Sequence, residues 1–404
     1  MVFGMDATQA IKLHKTGTEW YAYYLIQHFK TLIPKNIEVR LYSPEALNGR
    51  LGDLPTHFSS RVLRWPFGFL WNHLRLSWEM LTHPVDVLFV PSHVIPIVHP
   101  RKTLTVIHDV GFEEIPHLYA RHRIGPKNRI LSLLLGLVVR IMTLGKYSNT
   151  EYDYHRFGAR FAARHAAQLL TVSTFSKEKI QHYYHVPEQR ITVVPISHDT
   201  ERYPGDISSE VAQQIVARYN VREPFVFSIG RLEEKKNTLY LVRAFHRFLQ
   251  KTRMDFRLVL IGKPGLGFES VRAYIDEQRL GQHVILLGYV NESEVPAFYH
   301  RAAAFCFPSR YEGFGIPTLE AFACGTPVVA SNAGSIPEIA AGGALLSDPD
   351  DVEGFSENLA RVLQDADLRN RLIEKGKARA AEFSYVKTSR TIWEIISELA
   401  NRKT

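Results

Sequence analysis

Cysteine is nearly missing from this chain. Two in 404 residues rule out a disulfide framework. Cys306 and Cys324 both stand in apolar runs, where they read as small core residues suited to a reducing compartment. No run reaches the roughly 18 apolar residues of a spanning helix. Met1 leads straight into an apolar strand without the basic region of a secretory leader, so the expected location is cytoplasmic. There is no long Lys/Arg block, no low-complexity tract and no short repeat. A nucleic-acid tail, a disordered scaffold and a solenoid are thereby set aside.

What is present describes an ordinary globular protein, with 45% hydrophobic and 22% charged residues. A length of 404 residues makes two domains the default. The net charge of +8 favours acidic partners such as nucleotides or anionic lipids.

Short apolar runs alternate with helical patterns. "VDVLFVP" (85–91), "KTLTVIHD" (102–109), "QLLTVS" (168–173) and "ITVVP" (191–195) read as buried parallel strands. After a linker placed near 197–222 the rhythm restarts with "FVFSIG" (225–230), "FRLVLIG" (256–262), "HVILLGYV" (283–290), "AAFCFPS" (303–309), "PVVAS" (327–331) and "GALLS" (343–347). Helical stretches intervene, among them 17–33, 176–186, 237–250, 270–280, 293–302 and 318–325. Two such sets predict two doubly wound α/β domains. Ligands of such sheets bind at the carboxyl ends of the strands, so the expected site is the cleft where the two domains face.

The stretch "SRYEGFGIPTLEAFACGTPVV" (309–329) holds two carboxylates, Glu312 and Glu320, around a glycine turn. Pro317 suits a helix start and Gly325 a helix end. The loop Glu312–Gly313–Phe314–Gly315–Ile316 offers bare backbone and a helix N-terminus to an anion such as a diphosphate. Acids beside an anion must serve something else, and carboxylates accept from hydroxyls. Diphosphate with hydroxyls on both flanks describes a nucleotide sugar. The plainer reading is a helix start whose acids suit the macrodipole.

"SIGRLEEKKN" (228–237) ends a strand at Gly230 and follows it with Arg231 and Lys236. Cations there suit a leaving pyrophosphate; a solvated Lys/Arg loop is the plainer reading, and it is the one taken for Lys235. Asn237 is placed to cap the next helix. "TVIHDVGF" (105–112) puts His108 at a strand's carboxyl end, which favours a substrate contact over the usual satisfied core histidine. In "HKTGTEWY" (14–21), Gly17 opens a helix whose N–H groups could meet a phosphate; a plain capped start fits equally.

Together "MVFGMDA", "TGTEWY", "VIHDV", "VSTFSKEKI", "SIGRLEEKKN", "LLGYV" and the Glu312–Glu320 pair resemble glycosyltransferase family 4, the retaining enzymes of the GT-B fold, in order and over most of the chain. The resemblance implies a retaining, metal-independent sugar transfer from a UDP- or GDP-linked sugar to an acceptor glycan or lipid-linked sugar, in polysaccharide or glycolipid synthesis. It implies no cofactor and no nucleic-acid partner. Glu312 would hold donor-sugar hydroxyls and Glu320 the ribose. Arg231 and Lys236 would bind the diphosphate, with Gly315 and Ile316 helping through backbone. His108 would touch the transferred sugar, and Gly288, Tyr289 and Val290 would meet the base. Domain bounds of 1–200 and 201–385 are implied, with 386–404 returning as a helix to the first domain. A nucleotide-sugar epimerase of the same fold and a non-catalytic nucleotide-sugar-binding protein are the alternatives. "DPD" (348–350) has a metal-binding spacing but also suits a helix cap.

Relative to the pattern of the family it resembles, about thirty residues near 121–155 are extra. Within them Ile130 to Leu144 is apolar at eleven of fifteen positions; Ser132, Gly136, Arg140 and Thr143 fall on one helical stripe. Lys127, Arg129 and Lys146 flank it. The segment 129–146 is read either as core or subunit interface, or as a contact with an anionic membrane surface.

Overall fold

The computed structural model describes residues 1–402 except His14, Phe67, Gly68, Ala120, Arg121, His122, Pro126, Lys127, Thr143, Leu144, Pro204 and Asp206; the side chains of Arg129, Leu131, Leu134, Val138, Ile141 and Met142 also lie outside the described residues. Lys127, Thr143 and the Leu134 and Val138 side chains, parts of the apolar-segment reading, thus fall outside it. The chain divides into two units, one of Met1–Ile196 with Tyr385–Thr404 and one of Ser197–Ser384.

The first unit is built on a parallel sheet of β1 (Val2–Asp6), β2 (Glu38–Ser43), β3 (Phe58–Val62), β4 (Val87–Val90), β5 (Thr103–Val106), β6 (Gln168–Thr171) and β7 (Ile191–Val193). The order across it is β3-β2-β1-β4-β5-β6-β7. β4, β5 and β6 are buried throughout, as strands covered on both faces must be. Neither β2 nor β3 was marked by its apolar pattern. β3 is an edge strand whose "FSSRV" exposes all but its first residues, so it needs no apolar run.

The helix Tyr385–Asn401 belongs to this unit. Trp393 meets the rings of Phe3 and Phe29 edge-on at 5.8 and 6.4 Å. Tyr385 lies 4.7 Å from Tyr24, and Lys102 Nζ donates to the Ala400 carbonyl at 2.6 Å. Such aromatic contacts add specific geometry to the area they bury.

The second unit carries β8 (Phe225–Ile229), β9 (Arg257–Ile261), β10 (Val284–Gly288), β11 (Ala304–Phe307), β12 (Val328–Ser331) and β13 (Ala344–Ser347). They form a parallel sheet in the order β10-β9-β8-β11-β12-β13. Its core includes Phe245, Phe248, Leu258, Leu260, Cys306 and Leu359, all fully buried. Both cysteines are free and buried.

Two expectations are corrected here. The segment 197–222 is not a plain linker: it contains the helix Ser209–Arg218, started by Ser208, whose side chain accepts from Val211 N–H. Ala212 and Val216 bury one face of that helix, which packs on Val295–Arg301. Asn237 does not cap the following helix through its side chain. It adopts a left-handed conformation (φ 57°), and its amide donates to the Pro349 carbonyl at 2.7 Å.

In each sheet the chain winds outward one way and then returns to wind the other way. The reversal falls between β1 and β4 in the first unit and between β8 and β11 in the second. The crevice outside the carboxyl ends of such a strand pair is where α/β sheets bind ligands.

Candidate functional site

The β8/β11 crevice holds the most developed cluster of polar groups from the sequence reading. Gly230, Arg231 and Lys236 follow β8, and Glu312 follows β11. Lys236 Nζ lies 2.5 Å from Glu312 Oε1, with both groups largely shielded from solvent. The ammonium also stands 5.5 Å from the centre of the Phe307 ring, at the end of β11. A backbone bond from Arg310 N–H to the Lys235 carbonyl, at 2.9 Å, ties the two loops together beside this pair.

The Glu312 backbone is fixed from a third strand. After β12, the Ser335 N–H and hydroxyl both donate to the Glu312 carbonyl at 3.1 Å. Gly334 (φ +62°) makes this approach possible: a Cβ there would stand 2.7 Å from Glu312 N and 2.8 Å from its carbonyl oxygen. Neither Ser335 nor Gly334 was singled out in the sequence. "SNAGSIPE" reads as an ordinary turn, and only the β12 position places it under Glu312.

Gly313 and Phe314 are buried, Phe314 against Phe383 at 5.7 Å. Gly315 stands at the N-cap position with φ +93°, and the helix Ile316–Ala323 begins with Pro317 in its first turn. The helix ends at Gly325 (φ +70°), where Thr326 N–H donates to the Ala321 carbonyl at 2.8 Å.

Glu320 belongs to a different set of contacts. Tyr299 donates to its Oε2 at 3.0 Å, and Tyr203, 5.7 Å from the Tyr299 ring centre, helps to lower its pKa. Arg202, itself bridging Asp199 and Glu292, is the cation whose charge favours its ionised form. Burial pushes the Glu320 carboxyl up to about 7, against the lowering pull of Tyr299, Arg202 and Tyr203. The tyrosines and Arg202 were missed because they come from separate elements with no local motif.

Arg231 is well exposed, at 67% of its side chain, with its Nε 3.9 Å from Glu233 Oε2. Gly288 closes β10, Tyr289 is 55% exposed with Lys263 Nζ 5.9 Å from its ring centre, and Val290 is buried. Asp348 Oδ1 accepts from Asp350 N–H at 2.8 Å, and Asp350 pairs with Arg310 at 2.6 Å. Both carboxylates therefore have protein partners. Among the described residues no group of three or more His, Cys, Asp or Glu side chains is placed to hold a metal ion.

His108 and Gly17 belong to the first unit. The His108 ring meets Tyr21 edge-on at 4.9 Å, and its Nε2 is 3.2 Å from the Pro91 carbonyl. A carbonyl only accepts, so Nε2 carries the proton and Nδ1 of the neutral ring is left as an acceptor. Burial holds this imidazole below its usual value; the Pro91 bond, Asp109 and Glu19 pull the other way. Gly17 is the first residue of the helix Gly17–Leu32. Glu19, three residues past the Thr16 cap, accepts from Thr16 N–H at 3.0 Å and from its hydroxyl. The start at Gly17 is thus a capping box. His93, after β4, forms a 2.8 Å bond with His155, a pair no spacing in the sequence suggested.

Residues 213–379 match the family model described as Glycosyl transferases group 1. Over 384 residues, covering 94% of this chain and 95% of the relative, the sequence is 27% identical to the O-antigen chain mannosyltransferase B of Escherichia coli. It is 30% identical to the MMP alpha-(1->4)-mannosyltransferase of Mycolicibacterium hassiacum, over 54% of this chain and 51% of that one. Among solved structures, WaaG, a glycosyltransferase involved in lipopolysaccharide biosynthesis, superposes with a TM-score of 0.69 at 16% identity, covering 98% of this chain and 100% of that one. Anabaena HepE in complex with UDP-glucose gives 0.70 at 16% identity, again over 98% and 100%. The chain therefore carries a Glycosyl transferases group 1 domain within a two-sheet α/β architecture of GT-B type.

Proposed function

We propose that the protein is a retaining glycosyltransferase that moves a hexosyl unit from a nucleotide diphosphate sugar to an acceptor hydroxyl, without a metal, in cell-surface polysaccharide or glycolipid synthesis. The observation that carries this reading is the Lys236–Glu312 pair at the β8/β11 crevice. It sets a cation for phosphate beside a carboxylate for hydroxyls, at the place where such a sheet binds its ligand. The mannosyltransferase relatives favour mannose as the sugar. The HepE complex favours a nucleotide-linked donor.

In this reading Lys236 and Arg231 face the diphosphate, joined by N–H groups of Gly315 and Ile316. Glu312 accepts from donor-sugar hydroxyls, Glu320 from the ribose, and His108 through Nδ1 from the transferred sugar. Gly288, Tyr289 and Val290 meet the base. The bond from the anomeric carbon to the leaving phosphate oxygen breaks. The acceptor oxygen bonds to that carbon on the same face, and its proton passes to the leaving phosphate. Charge gathers on the phosphate in the transition state, where fixed cations stabilise it most.

A thermal-shift screen against GDP-, UDP- and ADP-sugars tests the donor assignment. A donor at a hundred times its dissociation constant adds ~2.7 kcal/mol. Product analysis of GDP-mannose with and without an oligosaccharide acceptor, in buffer with EDTA, tests the reaction. Transfer with retention in EDTA is the expected result. A C2 epimer formed without acceptor would transfer the site to an epimerase. Activity restored only by a divalent ion would bring back Asp348 and Asp350.

A further inference from the structure

Between Glu114 and Glu151 the sequence has no acidic residue and six basic ones, Arg121, Arg123, Lys127, Arg129, Arg140 and Lys146. The helix Arg129–Met142 lies in this interval. Part of its polar stripe faces the protein while three of its large apolar side chains face solvent. Ser132, from the polar stripe, is buried, and its carbonyl and hydroxyl accept from Asn149 Nδ2 at 2.9 and 3.2 Å. Gly136, one turn on, faces the same side chain: a Cβ there would lie 2.7 Å from Asn149 Oδ1. Ser132 and Gly136, the first half of the polar stripe, thus anchor the helix to Asn149. Ile130, Leu133 and Leu137 are left 69%, 49% and 55% exposed. At 100° per residue these three fall within about 60° of one another, and Arg140 borders them.

A cavity of about 390 Å³ opens beside this ridge. Arg123 and Arg140 line it together with Leu133, Leu137, Ser148 and Thr150. Among the described residues no carboxylate pairs with either arginine. The nearby Asp153 carboxylate is occupied by the Ser148 N–H and hydroxyl at 3.0 and 2.5 Å and by the Thr150 hydroxyl at 3.0 Å. Glu151 is exposed, 3.8 Å from His155 Nε2. A lining that combines two guanidinium groups with leucines matches an amphiphile whose head is a phosphate.

We propose that this face seats the protein on an anionic phospholipid bilayer, with a phosphate-bearing headgroup between Arg123 and Arg140 and with Ile130, Leu133 and Leu137 in the acyl boundary. A 14-residue helix is about 21 Å long, short of the ~30 Å hydrocarbon core, so it lies in the interface. Charge selects the occupant: a segment with six cations and no acid complements an anionic surface and would repel its own copy. The proposal does not depend on the sugar-transfer reading.

Co-sedimentation of the full chain with phosphatidylcholine vesicles, with and without phosphatidylglycerol, tests it. Wild type pellets with the anionic vesicles at low salt and stays in solution with the neutral ones. Arg123→Gln with Arg140→Gln weakens binding by ~10-fold or more, as two lost surface cations should. Leu133→Glu with Leu137→Glu abolishes it, while both double variants keep the wild-type melting temperature. Inorganic phosphate releases no more protein than chloride of equal ionic strength. Wild type remaining in the supernatant, or an arginine variant that binds as wild type does, overturns the proposal. So does release by inorganic phosphate alone, which would make the cavity a free-phosphate site. A lipid-free dimer in sedimentation velocity that the leucine variant dissociates would give the face to a second copy instead.

Discussion

Lys236 Nζ and Glu312 Oε1 are 2.5 Å apart, though 76 positions separate them in the chain. The sequence reading gives them different parts of the donor, the diphosphate and the sugar. On the proposed reading, their contact would make them one unit spanning both parts. Lys236→Ala and Glu312→Gln should each lower kcat/KM by ~100-fold or more, and the double variant by less than the product of the two. Steady-state kinetics with the donor identified by thermal shift decides. Fully multiplicative losses would show two independent residues.

Glu320 should make stability depend on pH in a predictable direction. Its carboxyl is raised from 4.5 to about 7 in the folded state. Below about 4.5 it is protonated folded and unfolded, and contributes no difference. Between these values the native state holds a proton that the unfolded chain has lost, so stability falls as pH rises; above 7 the loss is complete. Glu320→Gln should therefore be more stable than wild type at pH 8 by on the order of 1–3 kcal/mol, and no more stable at pH 4. Urea unfolding at the two pH values measures this. A gain of equal size at both would exclude ionisation as its origin.

Arg231 separates function from folding. With 67% of the side chain exposed and only a 3.9 Å contact to Glu233, it contributes little to stability. Arg231→Ala should leave unfolding within ~0.5 kcal/mol of wild type while kcat/KM falls ~100-fold. Unchanged kinetics would return Arg231 to the solvated loop.

Gly334 should tolerate no side chain. Gly334→Ala combines a positive φ with a Cβ 2.7 Å from Glu312 N, so it must displace the loop that carries Glu312. A loss of ~1–3 kcal/mol in stability is expected, with weaker donor binding. Wild-type stability together with wild-type affinity would mean that the Ser335–Glu312 buttress is dispensable.

The sequence by itself determined the two parallel sheets and the groups at their carboxyl ends. Strands buried on both faces must be continuous apolar runs, so β4, β5, β6, β8, β9, β11 and β12 announce themselves. The turns after them carry Gly230, Arg231, Lys236 and Glu312 at fixed offsets, and local spacing records that much. Edge strand β3 and the helix Ser209–Arg218 lie outside that logic, because an edge or a half-exposed helix needs few apolar residues. What only tertiary structure decided is contact between distant segments. Strand order, which no local pattern encodes, sets β11 beside β8 and so closes Lys236 on Glu312. It brings Ser335 under the Glu312 carbonyl and gathers Tyr203, Tyr299 and Arg202 around Glu320. The helix Arg129–Met142 shows the same division. Its amphipathic stripe is written in the sequence, but periodicity alone carries no sign; contact with Asn149 turns Ser132 and Gly136 inward, and Ile130, Leu133 and Leu137 stand exposed.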